Sequence, residues 1–178
     1  MASVVLLKGL NVGGHRSLRP SALARELHHL EVVNIGAAGS FVVRAPLRRE
    51  ELRSEIARRL PFEAEIVICR GRDVTSLLSE DFFAGDPERP DIVRFVSVLA
   101  RAPRSKVAVP AAFPPEGRWV VKVLARRGRF VVGLHRREMS AIGALGRLER
   151  AFGVPLTTRS WSTMNAIGRA LEAADGGR

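Results

Sequence analysis

The chain reads as an α+β protein: a first part with the order βαββαβ of a ferredoxin-like plait, then a smaller α+β part with a β-hairpin and C-terminal helices. Three observations predict this. Short apolar runs rich in β-branched residues alternate with amphipathic stretches over residues 1–71. Two of those runs are separated by the tight-turn sequence Gly36, Ala37, Ala38, Gly39, and two later runs alternate around Arg126, Arg127 and Gly128 as a hairpin does. The expected organisation is a ferredoxin-like subdomain at 1–71 and a second α+β subdomain with the C-terminal helix at 72–178, the loop bearing Gly85, Pro87 and Pro90 marking the transition.

Each element follows from local pattern. Val4, Val5, Leu6 and Leu7 make a continuous apolar run, as in a strand covered on both faces or central in a sheet. Lys8 ends it, and the turn beyond carries Gly9, Gly13 and Gly14 together with His15 and Arg16. Residues 20–30 predict a helix opened by Pro20, with Leu23, Leu27 and Leu30 on one stripe. Residues 31–35 and 40–44 predict two short strands. Residues 48–60 predict an amphipathic helix with Leu52, Ile56 and Leu60 inward, stopped by Pro61, and 64–69 an apolar strand.

In the second part, 73–78 reads as a short helix with Asp73 as its N-cap. Residues 92–100 read as a strand, and 102–117, with four prolines, as irregular. The hairpin strands are 119–125 and 129–135. Leu145, Leu148 and Phe152 mark a helix over 143–152, closed by Gly153. The last helix, about 161–174, turns Met164, Ile167 and Leu171 inward, and the residues from Asp175 on read as a frayed tail.

Composition bounds the function. With 178 residues, 46% hydrophobic, 26% charged and a mean hydropathy of +0.04, the chain is that of a folded protein. A chain of this length buries roughly 70% of its unfolded surface and needs no disulfide or structural metal to hold a core. The single cysteine, Cys69, makes no internal disulfide, the chain opens Met-Ala-Ser without a leader pattern, and no apolar run approaches a membrane span. The expectation is a cytoplasmic protein with no membrane association. Its formal charge of +11 and pI near 11.5 favour polyanionic partners. Only Lys8, Lys106 and Lys122 are lysines, so the arginine skew is equally the mark of a GC-rich genome.

Chemistry-bearing motifs are few. GLNVGGHRS, from Gly9 to Ser17, approaches the phosphate-binding loop G-x-x-x-x-G-K-[ST], but His15 stands where lysine must reach the terminal phosphates and Ser17 comes one residue late for magnesium. The turn is therefore read as a general anion site formed by Lys8, Asn11, Gly13, Gly14 and His15, not as a nucleotide-hydrolysing loop. His15 is the one histidine considered as a general base; His28 and His29, adjacent on a helix, point about 100° apart and cannot share a metal ion. Cys69, within an apolar strand, reads as a small buried hydrophobe. No metal or cofactor is expected, and no catalytic residue is assigned.

The segment TTRSWSTMNAI at 157–167 is a second anion candidate. Ser160 or Ser162 is positioned to cap the final helix, Arg159 precedes its positive end, and Trp161 offers a ring for stacking.

Three pieces, KGLNVGGHRSL at 8–18, NIGAAGSFVVR at 34–44 and TTRSWSTM at 157–164, resemble in order and spacing the three signature segments of the domain of unknown function 1697 family, over nearly the whole chain. The resemblance implies a two-part α+β protein with a ferredoxin-like first part, and no established activity. Relatives typically read RGINVGGKN, QSGNVVF and TRNWNT. Here Lys8 replaces their arginine, His15 and Arg16 their Lys-Asn, and Ser40, Ser160 and Ser162 three asparagines, so a shorter hydroxyl stands where an amide could both donate and accept. If the segments converge, a site would draw on Lys8, Asn11, Gly13, Gly14, Ser40, Thr158, Arg159, Trp161 and Thr163.

Two classes of function fit, with a scaffold or oligomer lacking a small ligand as the third. The leading expectation is a protein binding a phosphate-bearing ligand or nucleic acid at a basic cleft between the two parts. Arg118, Lys122, Arg126, Arg127, Arg129, Arg136 and Arg137 form the candidate nucleic-acid run, uninterrupted by an acid. The first part has no Tyr or Trp, and Phe41 is the lone strand aromatic for base stacking, which lowers sequence-specific RNA recognition. The alternative is an enzyme acting on a phosphate- or carboxylate-bearing metabolite.

Overall fold

In the computed structural model, which describes residues 1–10 and 17–175, five helices and two antiparallel sheets are built in the order the apolar runs dictate. The contacts divide them into two units, Met1–Ser79 with the chain from Ser162 onward, and Glu80–Trp161.

The first unit is organised on β1 (Ser3–Leu7), which pairs with β3 (Ser40–Val43) on one side and β4 (Ile66–Arg70) on the other; β2 (Val32–Ile35) completes the sheet in the order β2-β3-β1-β4. Side chains alternate across the pleat. Val5, Leu7, Phe41, Val43, Ile66 and Ile68 pack with Leu23 and Leu27 near α1 (Pro20–Glu26) and with Leu52 and Ile56 of α2 (Arg49–Ala57). The other face, Val4, Leu6, Val42, Val67 and Cys69, is equally buried. That double burial is why Val4–Leu7 of β1 and Ile66–Cys69 of β4 are apolar at consecutive positions rather than at alternate ones. Helix α3 (Gly71–Leu78) packs against β1 and β4.

In the second unit, β5 (Ile92–Leu99), β7 (Val121–Arg127), β8 (Phe130–Arg136), the short β6 (Ala111–Phe113) and β9 (Leu156–Ser160) form a sheet ordered β6-β7-β8-β5-β9. Helix α4 (Ser140–Phe152) covers one face through Ala141, Ala144, Leu148 and Phe152, packed on Phe95, Leu99, Val121, Val123 and Val131. A bulge at Leu124 shifts the register from Val123–Gly133 to Ala125–Val132. Gly153 ends α4 in the left-handed region at φ 66° and its N–H bonds to the Glu149 and Arg150 carbonyls, the closure that its position after Phe152 predicts.

Several expectations are corrected. The first helix stops at Glu26 and a 3-10 turn, His28–Leu30, takes over, with Glu31 left-handed at φ 51°. Arg70, not Asp73, occupies the N-cap of α3, and Asp73 lies in its first turn. Within the proline-rich 102–117 stretch, β6 pairs with β7 between cis Pro110 and cis Pro114. By its contacts the first unit runs to Ser79 and takes in α5 (Trp161–Asp175) from Ser162 onward. Glycines line the contact of α5 with α3: a methyl on Gly168 would lie 2.7 Å from Leu78 Cδ1, and one on Gly71 2.8 Å from Leu171 Cδ2, so each leucine side chain rests against bare glycine backbone of the facing helix.

Candidate functional site

At the first candidate segment, β1 leaves its sheet held on both sides: Leu7 N–H donates to the Gly39 carbonyl at 2.8 Å and Lys8 N–H to the Glu65 carbonyl at 3.0 Å. Lys8 is half-buried, and Gly9 follows in the left-handed region at φ 76°. Gly39, at φ 71°, is closed off by Leu10: any side chain there would overlap the Leu10 methyl and press on Leu7 Cβ. Ser40 is fully buried beside Leu6 and Ile35. Asn34 binds the Gly36 carbonyl through Nδ2 at 3.0 Å and so fixes the turn, while its Oδ1 is buried without a donor. Asn11, Gly13, Gly14, His15 and Arg16 lie outside the described residues.

The segment 157–160 is not an approach to a helix cap; it is strand β9, paired antiparallel with β5. Alternation therefore sends Thr158 and Arg159 to opposite faces. The Thr158 hydroxyl meets the fully buried Ser97 hydroxyl at 2.6 Å on the α4 side. Arg159, opposite Val96, is buried at 7% exposure, and its Nη1 donates to the Thr157 hydroxyl and the Thr158 carbonyl, both at 2.9 Å. It is not the exposed side chain that a residue ahead of a helix suggests. Desolvation pushes its pKa down to about 10, still above neutral pH, so the guanidinium stays charged there.

Trp161 is engaged by its own unit. Its ring meets Phe83 at 5.0 Å and Phe82 at 6.2 Å, both nearly perpendicular. The Arg94 guanidinium caps Phe83 at 4.8 Å and that of Arg127 caps Phe82 at 5.5 Å. Thr163, in the first turn of α5, is half-buried. Sequence reading missed Phe82, Phe83, Arg94 and Ser97; the adjacent pair of phenylalanines in a polar loop was the available signal for the first two.

The candidate nucleic-acid run is largely occupied. Arg118 makes a two-pronged contact to Glu138 at 2.9 and 3.3 Å, and Arg127 binds Glu80 at 2.8 Å. Arg136 stacks on Trp119 at 4.6 Å, donates to its carbonyl at 2.8 Å and lies 3.6 Å from Asp91. Arg137 donates to the Pro90 carbonyl, and Arg129 reaches the Leu99 and Ala100 carbonyls. Lys122 is half-buried opposite Leu134, and exposed Arg126 donates to the Gly128 carbonyl. The run is contiguous in sequence but split between the two ends of the second sheet.

An open depression of about 650 Å³ lies between α2 and β4, lined by Leu60, Phe62, Ile66 and the carboxylate-bearing Glu63 and Glu65, the wrong sign for an anion. Cys69 is buried, and His28 and His29 are exposed, His29 3.7 Å from Glu55. Among the described residues no three His, Cys, Asp or Glu side chains assemble as a metal-binding group, and no helix is long and apolar enough to cross a membrane. The chain matches no protein-family model, no curated protein and no solved structure.

Proposed function

We propose that the protein binds a phosphate-bearing small molecule at the turn following β1, acting in the cytoplasm, and that it is a member of the domain of unknown function 1697 family with a ferredoxin-like first unit. The plait is supported by the order βαββαβ, by the all-antiparallel order β2-β3-β1-β4, and by α1 and α2 packing on one face. The anion reading rests on one observation. β1 is bonded on both flanks up to Lys8, which then meets left-handed Gly9 at the head of a glycine-rich segment. A lysine at a pinned strand end, followed in sequence by glycines that tolerate the backbone conformations needed to present N–H groups to an anion, has the chemistry of a phosphate cradle.

A contact to nucleic acid through the whole 118–137 run is disfavoured, because Arg118, Arg127 and Arg136 already lie against Glu138, Glu80 and Asp91. The test is thermal unfolding with inorganic phosphate, pyrophosphate and ATP on the wild type and on Lys8→Met. Binding at a hundredfold excess over Kd stabilises by about 2.7 kcal/mol. A rise in Tm with at least one of these, reduced in Lys8→Met, is the expected result. No rise with any of them, or the same rise in the variant, overturns the reading.

A further inference from the structure

Fifteen basic and eight acidic side chains lie in Glu80–Trp161, so this unit carries most of the chain's positive excess. Its acids are unevenly spread. Glu88, Asp91 and Glu138 sit at the sheet end where β5 begins and β8 finishes, and there they engage Arg89, Arg94, Arg118 and Arg136.

The opposite end gathers different residues. Antiparallel pairing brings the finish of β5 and β7 beside the start of β8 and β9, and α4, which runs from the end of β8 to the start of β9, finishes there too. Arg101, Arg104, Lys106, Arg126, Arg147 and Arg150 are all exposed in this region, and none forms an ion pair among the described residues. The loop that bears the first three is fixed: Arg104 N–H donates to the Phe152 carbonyl at 3.0 Å, and Arg104 packs beside Gly153. Arg129 ties the hairpin to the same loop through the Leu99 and Ala100 carbonyls at 3.2 and 3.0 Å. Of the nearby acids, Glu80 is taken by Arg127, and Glu149 accepts the Leu156 N–H at 3.1 Å.

We propose that this end of the second unit is a contact surface for the sugar-phosphate backbone of double-stranded nucleic acid. Five of its six cations are arginines, whose planar forks match phosphate oxygens. Of the exposed large apolar side chains, Met139 and Ile142 stand at the start of α4, the far end of that helix, so the patch has nothing to insert into a bilayer. None of its six cations stacks on an aromatic ring among the described residues, and the half-buried Phe82 beneath neighbouring Arg127 is already held edge-on by Trp161, so binding reads the backbone without regard to sequence. The surface draws on no residue of the turn after β1 and stands or falls independently of it.

Fluorescence anisotropy with a short labelled DNA duplex of arbitrary sequence tests this. Six phosphate contacts give a slope of log affinity against log salt near −5, a loss of about a thousandfold between about 50 and 200 mM salt. Arg101→Glu/Arg104→Glu should weaken binding by about tenfold or more. The control Arg49→Glu/Arg169→Glu changes net charge equally at exposed positions of the first unit and should have little effect. Thermal melts of both variants verify folding. Absence of duplex binding at low salt, a flat salt response, equal losses in the two variants, or tighter binding to phosphatidylserine-containing vesicles than to the duplex would each overturn the proposal.

Discussion

The Ser97 and Thr158 hydroxyls meet at 2.6 Å across β5 and β9, within the layer that Phe95, Leu99 and Leu156 otherwise fill with carbon. Ser97 has no exposed surface, so its hydroxyl depends on this contact. Thr158→Val strands the serine and should cost about 1–2 kcal/mol in urea unfolding. Adding Ser97→Ala removes the orphan, so the double variant should lose less than the sum of the two singles. Strict additivity would show that the hydroxyls do not depend on one another.

This pair also shows where the sequence was opaque. TTRS has no apolar alternation because Thr158 is matched to a buried serine and Arg159 is buried on the other face, so its strand character comes from tertiary partners. The strands that carry their own apolar pattern, β1, β3, β4, β5 and the β7–β8 hairpin, were legible within a residue or two. The return of α5 to the first unit was not, because Gly71 and Gly168, which permit it, look in sequence like ordinary weak points in helices. Around the candidate anion site, the strand that ends before Lys8 was legible; the burial of Arg159 was not, since nothing local distinguishes it from the surface arginines around it.

Gly133 is predicted to tolerate no side chain. It sits in β8 opposite Val123, next to the Leu124 bulge, where an added methyl would overlap the Lys122 carbonyl oxygen and come within 2.9 Å of Phe95 Cζ. The carbonyl belongs to the neighbouring strand and cannot step aside without breaking the ladder. Gly133→Ala should therefore destabilise by about 1–3 kcal/mol, despite the gain in β propensity. Gly143→Ala, in open space on α4, should be neutral or stabilising by up to about 1 kcal/mol, and serves as the control in the same denaturant series.

Glu138 links stability to pH. The Ser140 hydroxyl and then Arg118 hold its carboxyl below the usual range. A carboxylate more acidic in the folded state contributes stability that is present above its unfolded pKa and is lost as pH falls through its folded one. Glu138→Gln should flatten the acid limb of a plot of stability against pH and leave the limb above neutrality unchanged. An acid limb as steep as the wild type's would assign the titration elsewhere, with Asp91, lowered by Arg89, as the next candidate.

Arg159 gives a slope of the same sign at the alkaline end, although there burial disfavours the charged form instead of partners favouring it. Burial lowers its pKa to about 10, so from there up to its ordinary value the folded chain holds fewer protons than the unfolded chain, and unfolding free energy rises with pH. Arg159→Met removes that titration, so the stability of the wild type relative to the variant should increase between about pH 9 and pH 11. The background is favourable: the chain has no tyrosine and only Lys8, Lys106 and Lys122 as lysines, so few other groups titrate in that window, and those that do cancel in the difference. A constant difference across the window would mean that the guanidinium keeps its proton when buried, through compensation by its surroundings stronger than the desolvation that opposes it.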